Sequence, residues 1–400
     1  MPDFRIAYRP FPQQQAYFRR KVNVPSDRWD DLMHGEHAHG FMVAGVTRTD
    51  VLTDLRAAVQ SAIDDGEGFD AFRARFDAIL NRHGWIGGAG DETDARRAWR
   101  MRTIYQTNLR TSYMAGRWEE LQAFPYLRYQ HNTVNNPRHE HQAWDGLVLA
   151  TDDPWWGTHY PPNGWGCRCT VTGIGKGRMR ALDKDGPDAT PEPGEGDPPP
   201  EWAYHPGKAA RSLPAAEAFG RKAMALPPDW RKIALDDAQA RRVDWFGDWA
   251  GHAQQINRTL HPQGASPVGF LSAAVLDAAA REVRRRATVP GLTPQSALVA
   301  ITDRQMAHAL HDLPAPDRIL VAQALEELPN IIAAPDRVYR QVSPDRLVYA
   351  RSLADGRHVC IYLRIDSLPA RPGANRVVSN WVATVEVRSE AQMADYVRLQ

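Results

Sequence analysis

Four hundred residues, 43% hydrophobic and 24% charged, give enough material for two to four domains and at least one sizeable core. A net charge of +1 provides no global pull toward nucleic acid or an anionic membrane, and three Cys exclude a disulfide scaffold and fit a reducing compartment. The N-terminal stretch MPDFRIAYRPFPQQQAYFRRK has no apolar signal-peptide core and no run approaches a membrane span, so the expectation is a soluble, unexported chain with no membrane segment.

Residues 12–124 are predicted helical. A first helix covers Gln13 to Val22 and stops before Pro25. A second runs from an N-cap at Thr49 to Asp65, with Leu52, Leu55, Val59 and Ile63 on one stripe, and is broken by Gly66 and Gly68. Phe69, Phe72, Phe76, Ile79 and Leu80 mark a third, ended at His83-Gly84. A long fourth helix spans Thr93 to Leu121, and antiparallel packing of the set is the economical arrangement. Its Arg96, Arg97, Arg100, Arg102, Arg110 and Arg117 read as a solvent face or a pairing surface for acidic neighbours.

Tyr126 to Asn132 is predicted as a strand leading into a loop-rich element, residues 138–171, with poor apolar periodicity. Pro187 to Pro200 holds six Pro and reads as a linker, closed by a turn at Trp202 to Gly207 that docks on the preceding domain. Residues 209–265 look helical but interrupted, followed by helices at Leu271 to Ala287 and Pro316 to Leu328. Val338 to Val342, Leu347 to Leu353, His358 to Ile365 and Val377 to Val387 read as strands, with Asp355-Gly356 as a two-residue hairpin turn. The fold class is therefore α+β. A mainly helical N-terminal half with a loop-rich Trp/His/Cys element precedes a small module of helix and antiparallel sheet. The expected domains are 1–180, a connector at 181–270, and 271–400.

The loop-rich element concentrates chemistry: three His, three Asp, four Trp and two of the three Cys. Cys167, Cys169, His141 and His139 are soft and borderline donors that suit a structural zinc, with Asp153 and His159 in reserve. The competing reading packs both thiols among Trp144, Trp155, Trp156 and Trp165 as small hydrophobes. No local signature supports a Cys-His-Asp hydrolase. His34, His37 and His39 read as a solvated or capping cluster.

In the C-terminal module, a two-residue turn sets Arg351 opposite Cys360 and Tyr349 opposite Tyr362. Tyr349, Arg351, His358, Cys360, Tyr362 and Arg364 then share one face, and Val348, Ala350, Val359, Ile361, Leu363 and Ile365 the helix-covered one. Such a face offers His358 as acid/base and Arg351 and Arg364 as phosphate stabilisers for metal-free RNA cleavage, with Tyr349, Thr384 and Asn380 nearby. From Leu328 onward there are ten Arg, no Lys and seven acids, a locally positive surface. A polar sheet face that binds another subunit accounts for the same pattern.

Several stretches resemble one family. KVNVPSDRWDDLMHGEHAHGFMVAG (Lys21 to Gly45), IYQTNLRTSYMAGR (Ile104 to Arg117) and residues 138–171 are similar to the head-morphogenesis domain of phage Mu F-like minor head proteins. Trp202 to Gly207 is similar to that family's aromatic-Asn-Pro-Gly turn, with His205 where Asn is commoner. The resemblance implies a minor virion protein of the portal region, needed for head assembly. Its partners would be portal and capsid proteins, and its location the virion and, during assembly, the host cytoplasm. The C-terminal module resembles the barnase/EndoU/colicin/RelE-like nuclease modules found at this position in such proteins. That implies, as the alternative function, a virion-delivered ribonuclease acting on RNA.

Overall fold

The computed structural model describes residues 11–84, 93–132, 136–194, 196–241, 244–245, 247, 249–258, 264–285, 292–311, 313–369 and 377–400. Parts of the predicted helical stretches, including 259–263 and 286–287, lie outside the described residues. The chain divides into two compact units, 1–215 and 216–400.

The first unit opens with α1 (Pro12–Arg19), α2 (Thr49–Asp65), α3 (Phe69–His83) and α4 (Asp94–Leu121). Gly66 (φ +67°) and Gly84 (φ +61°) end α2 and α3 in the left-handed conformation that costs glycine least. The Thr93 hydroxyl accepts from the Arg96 amide and caps α4. The predicted stripes converge: Leu52, Leu55, Val59 and Ile63 of α2 bury against Phe72, Phe76, Ile79 and Leu80 of α3 and Met101 of α4. A Cβ on Gly116 would stand 2.7 Å from the backbone nitrogen of Gln14, so this glycine lets α1 cross α4 at backbone contact. Buried Arg56 donates to the carbonyls of Phe18, Arg19 and Lys21 and so closes the C-terminal end of α1.

Two short strands, β1 (Val22–Asn23) and β2 (Gly40–Phe41), pair in parallel. A three-stranded antiparallel sheet then sets β3 (Tyr126–Gln130) between β4 (Val148–Ala150) and β5 (Thr170–Ile174). Short helices α5 (His139–Ala143), α6 (Trp156–His159), α7 (Lys176–Arg180) and α8 (Pro206–Ala209) complete the unit. The Pro-rich stretch is pinned rather than free. Asp188 donates its amide to the Val148 carbonyl and accepts the Val148 amide, and Asp197 pairs with His159. Trp202 is buried, as expected of a docking turn.

The second unit begins inside α9 (Leu213–Ala225). It continues through α10 (Pro228–Ala240), α11 (Trp249–Asn257), β6 (Ala265–Phe270), α12 (Ala273–Arg285), β7 (Leu298–Thr302), α13 (Asp303–His308), α14 (Ala315–Glu326) and α15 (Leu328–Ala333). Strands β8 (Arg337–Gln341), β9 (Arg346–Ser352), β10 (His358–Ser367), β11 (Ser379–Arg388) and β12 (Val397–Arg398) follow. Its seven strands are ordered β12-β8-β9-β10-β11-β7-β6 and are antiparallel except for the β11–β7 pair. Three of them (β6, β7 and β12) were not expected, and the sheet is correspondingly wider than the predicted hairpin set.

The register of the β9–β10 hairpin corrects the predicted face. Arg351 pairs with Val359 and Tyr349 with Ile361, one residue away from the expected partners. The loop holds three residues, Ala354-Asp355-Gly356. The Gly356 amide donates to the Leu353 carbonyl, and Gly356 at φ +82° takes the left-handed position that follows such a turn. Because side chains alternate, this one-residue slip moves all of β9 to the other side relative to β10. Tyr349 and Arg351 therefore share a face with Val359, Ile361 and Leu363. The His358, Cys360 and Tyr362 face instead carries Val348 and Ala350, which were expected on the apolar side.

Candidate functional site

The central element of the first unit is built by strand pairing. Gln130 of β3 pairs with Thr170 of β5, and continuing that register brings His131 alongside Cys169. Their ring Nδ1 and Sγ stand 3.5 Å apart. One turn of α5 turns His141 inward and leaves His139 and Glu140 exposed. The bend through Gly164 (φ +154°) and Gly166 (φ +68°) returns the chain so that Cys167 meets His141. Arg138 holds this bend by donating to the Trp165 carbonyl. His141 Nδ1 lies 3.8 Å from Cys167 Sγ and 3.6 Å from Cys169 Sγ.

His141, Cys167 and Cys169 are all buried, and their donor atoms lie within 4.8 Å of one another. Hydrogen bonding from Cys169, helped by His141, holds the Cys167 thiol well below its ordinary pKa against the effect of burial. The neighbouring Cys167 and burial push Cys169 up. Soft donors of this kind are chemically suited to a metal ion such as zinc.

Of the predicted ligands, the structure brings together His141, Cys167 and Cys169 and leaves His139 on the exposed side of its helix. Asp153 caps the start of α6 through the Trp155 amide, and His159 stacks on Trp155 at 4.2 Å and pairs with Asp197. Neither reserve ligand joins the group. His131, which sequence spacing did not single out, stands beside Cys169 because of the strand register rather than local spacing. The thiols also pack in an aromatic core with Trp144, Trp155 and Trp156, as the competing reading expected, but Trp165 is exposed and takes no part in it; His141 stacks on Trp144, which meets Tyr129 and Trp155 edge-on. In the His34/His37/His39 group, His39 is buried rather than solvated, and burial beside Arg20 lowers its pKa to about 3.

In the second unit the predicted catalytic residues are dispersed. His358 is buried, with Nε2 2.8 Å from a Glu390 carboxylate oxygen that Arg337 also holds. Cys360 touches Met393, and Tyr362 hydrogen-bonds Tyr396, so the C-terminal segment covers this face. Tyr349 is fully buried on the opposite face, where Arg351 pairs with Glu327. Arg364 lies beside Arg346, and burial lowers its pKa. Thr384 reaches Glu386. Asn380, expected to face a phosphate, is buried and donates to the Ser296 and Leu298 carbonyls, tying β11 to β7.

Comparison with known proteins places the first unit's site in a family context. Residues 53–172 match the family described as Phage Mu protein F like protein, a segment that contains His131, His141, Cys167 and Cys169. The chain is also 27% identical to a protein of Escherichia phage Mu named for capsid assembly, protein F. That match covers 95% of this chain and 92% of the relative. Residues 53–172 of this chain form a Mu F-like segment. A second relative, the Mu-like prophage FluMu F protein of Haemophilus influenzae, is 28% identical over 78% of this chain and 82% of its own length. No solved structure matches. Among the described residues, no helix of this chain is long and apolar enough to cross a membrane.

The departure at His205 has a geometric explanation. His205 is the N-cap of α8, and its Nδ1 accepts the Lys208 amide at 3.2 Å, the bond an Asn side-chain oxygen makes at such a position. Burial holds its pKa well below the usual value, which keeps the ring neutral and its lone pair available. The ring also stacks on Tyr160 with centroids 3.9 Å apart. Next to it, a Cβ on Gly207 would fall 2.6 Å from Trp118, so only glycine permits this approach.

Proposed function

We propose that this chain is a minor head protein of a phage or prophage and acts in head morphogenesis through contacts with portal and capsid proteins. The observation that carries this reading is end-to-end similarity to a protein named for capsid assembly, covering nearly the whole of both chains. On this reading the chain works in the host cytoplasm during assembly and stays in the virion. Removing it from the producing phage should leave few DNA-filled heads in electron micrographs of lysates. Cross-linking mass spectrometry of complete heads should join it to the portal. Normal, infectious heads without the chain would overturn the proposal, and heads containing it without portal cross-links would remove the portal contact.

The alternative, a ribonuclease in residues 271–400, keeps His358 but loses the shared face that Tyr349 and Arg351 were to complete. The purified chain should leave bacterial RNA intact without metal. Cleavage that disappears in His358→Ala would restore the nuclease reading. Within the first unit, the buried His141, Cys167 and Cys169 group supports a structural zinc, an element that fixes loops rather than reacts.

A further inference from the structure

Resting on that zinc reading, we propose that His131, His141, Cys167 and Cys169 form a closed tetrahedral site, with His131 rather than His139 as the fourth ligand. Tetrahedral zinc with Zn–S of about 2.3 Å and Zn–N of about 2.0–2.1 Å requires S···N edges of about 3.6 Å. The three S···N separations here are 3.8, 3.6 and 3.5 Å. A single His141 Nδ1 stands almost equally far from two sulfurs. One lone pair or one N–H proton serves one hydrogen-bond partner well, whereas a shared ion at the centre makes both edges equal.

His131 meets Cys169 at the edge distance but stands outside the compact group of three. A cavity of about 180 Å³ lined by His131, His141, Cys167 and Cys169 leaves room for an ion and for the half-buried ring to swing onto it. His139 has no such route, since His141 occupies the inward side of the same short helix. Closure would fasten three separate pieces: the end of β3, helix α5, and the bend before β5. Those pieces have little regular structure of their own, and a closed four-ligand site supplies the stability that hydrogen-bonded ladders supply elsewhere.

The test uses the full chain purified without added metal, with zinc content by elemental analysis, zinc affinity by chelator competition, and cobalt substitution read by absorption. Wild type and His139→Ala should each hold about one zinc, with the intense bands of four-coordinate, thiolate-bound cobalt. Cys167→Ser/Cys169→Ser should hold none. His131→Ala, which replaces a half-buried ring and is checked for folding by circular dichroism, should bind zinc more weakly by over the roughly 10–100-fold that loss of a supporting hydrogen bond costs. Its cobalt spectrum should change, and His131→Cys should restore four-coordination. If His131→Ala matches His139→Ala in affinity and spectrum, the closure is wrong while the three-ligand reading stands. If wild type holds no zinc even after equilibration with excess metal, both fail.

Discussion

Position 205 separates what a residue type does from what its position requires. The requirement is an acceptor that reaches the Lys208 amide, and a neutral imidazole meets it as an amide oxygen would. The ring adds a stack on Tyr160 that Asn cannot make. His205→Asn should therefore keep the cap and cost less than His205→Ala, which loses the cap at about 1 kcal/mol and the stack at about another 0.5–1.5 kcal/mol. Thermal or urea melts of the two variants check the order. Equal losses would mean that the ring serves only as packing. The sequence marked this turn through Pro206 and Gly207, but it could not show that His205 stands in for Asn as an acceptor, because that depends on burial keeping the ring neutral.

At the scale of elements, legibility followed the range of the interactions. Helices α2, α3 and α4 were readable because stripes and glycine stops are local signals, whereas the cap expected at Thr49 is absent: Thr49 is already helical, and Arg48 stands at the N-cap with no side-chain bond. Strands β6 and β7 were not. Pro267 and Gly269 interrupt β6, and β7 is a five-residue apolar run that finds its partner β11 some eighty residues later. The same reasoning applies to His131, whose partner Cys169 is set by pairing across the sheet, whereas His139 merely lay near His141 in sequence. The hairpin error was smaller, one residue, yet it divided a proposed catalytic face in two because side chains alternate. This register can be tested directly. Arg351→Cys with Val359→Cys places two thiols on directly opposed residues, at Cα separations of about 4.5–5.5 Å that a disulfide spans. Mild oxidation and peptide mapping should recover that cross-link. A bridge from Arg351→Cys to native Cys360 instead would restore the two-residue turn and, with it, the predicted face.

At the scale of the molecule, acid should act strongly on the first unit through its buried imidazoles. Burial lowers the pKa of His39 to about 3 and depresses His159 and His205 as well. Below about pH 6.5 the unfolded chain binds protons at these rings that the folded unit refuses, so stability rises with pH across the window between the folded and unfolded values. The contribution is fully present above pH 6.5 and is lost as pH falls. A ring whose folded pKa lies below this window gives a slope of about 1.4 kcal/mol per pH unit, so His39, with a folded value of about 3, removes about 2 kcal/mol by pH 5. Nine of the thirteen Trp lie in residues 1–215, so fluorescence reports mainly on this unit. Urea unfolding followed by Trp emission, with a chelator present so that metal release is not what is read, should show the midpoint dropping steadily from pH 7 to pH 5. His39→Gln should flatten that slope by about one proton's worth, since a side-chain amide in the same position has nothing to titrate. A midpoint that stays constant over this window would mean that these rings take up their protons in the folded chain, and that the burial seen around His39 opens in solution.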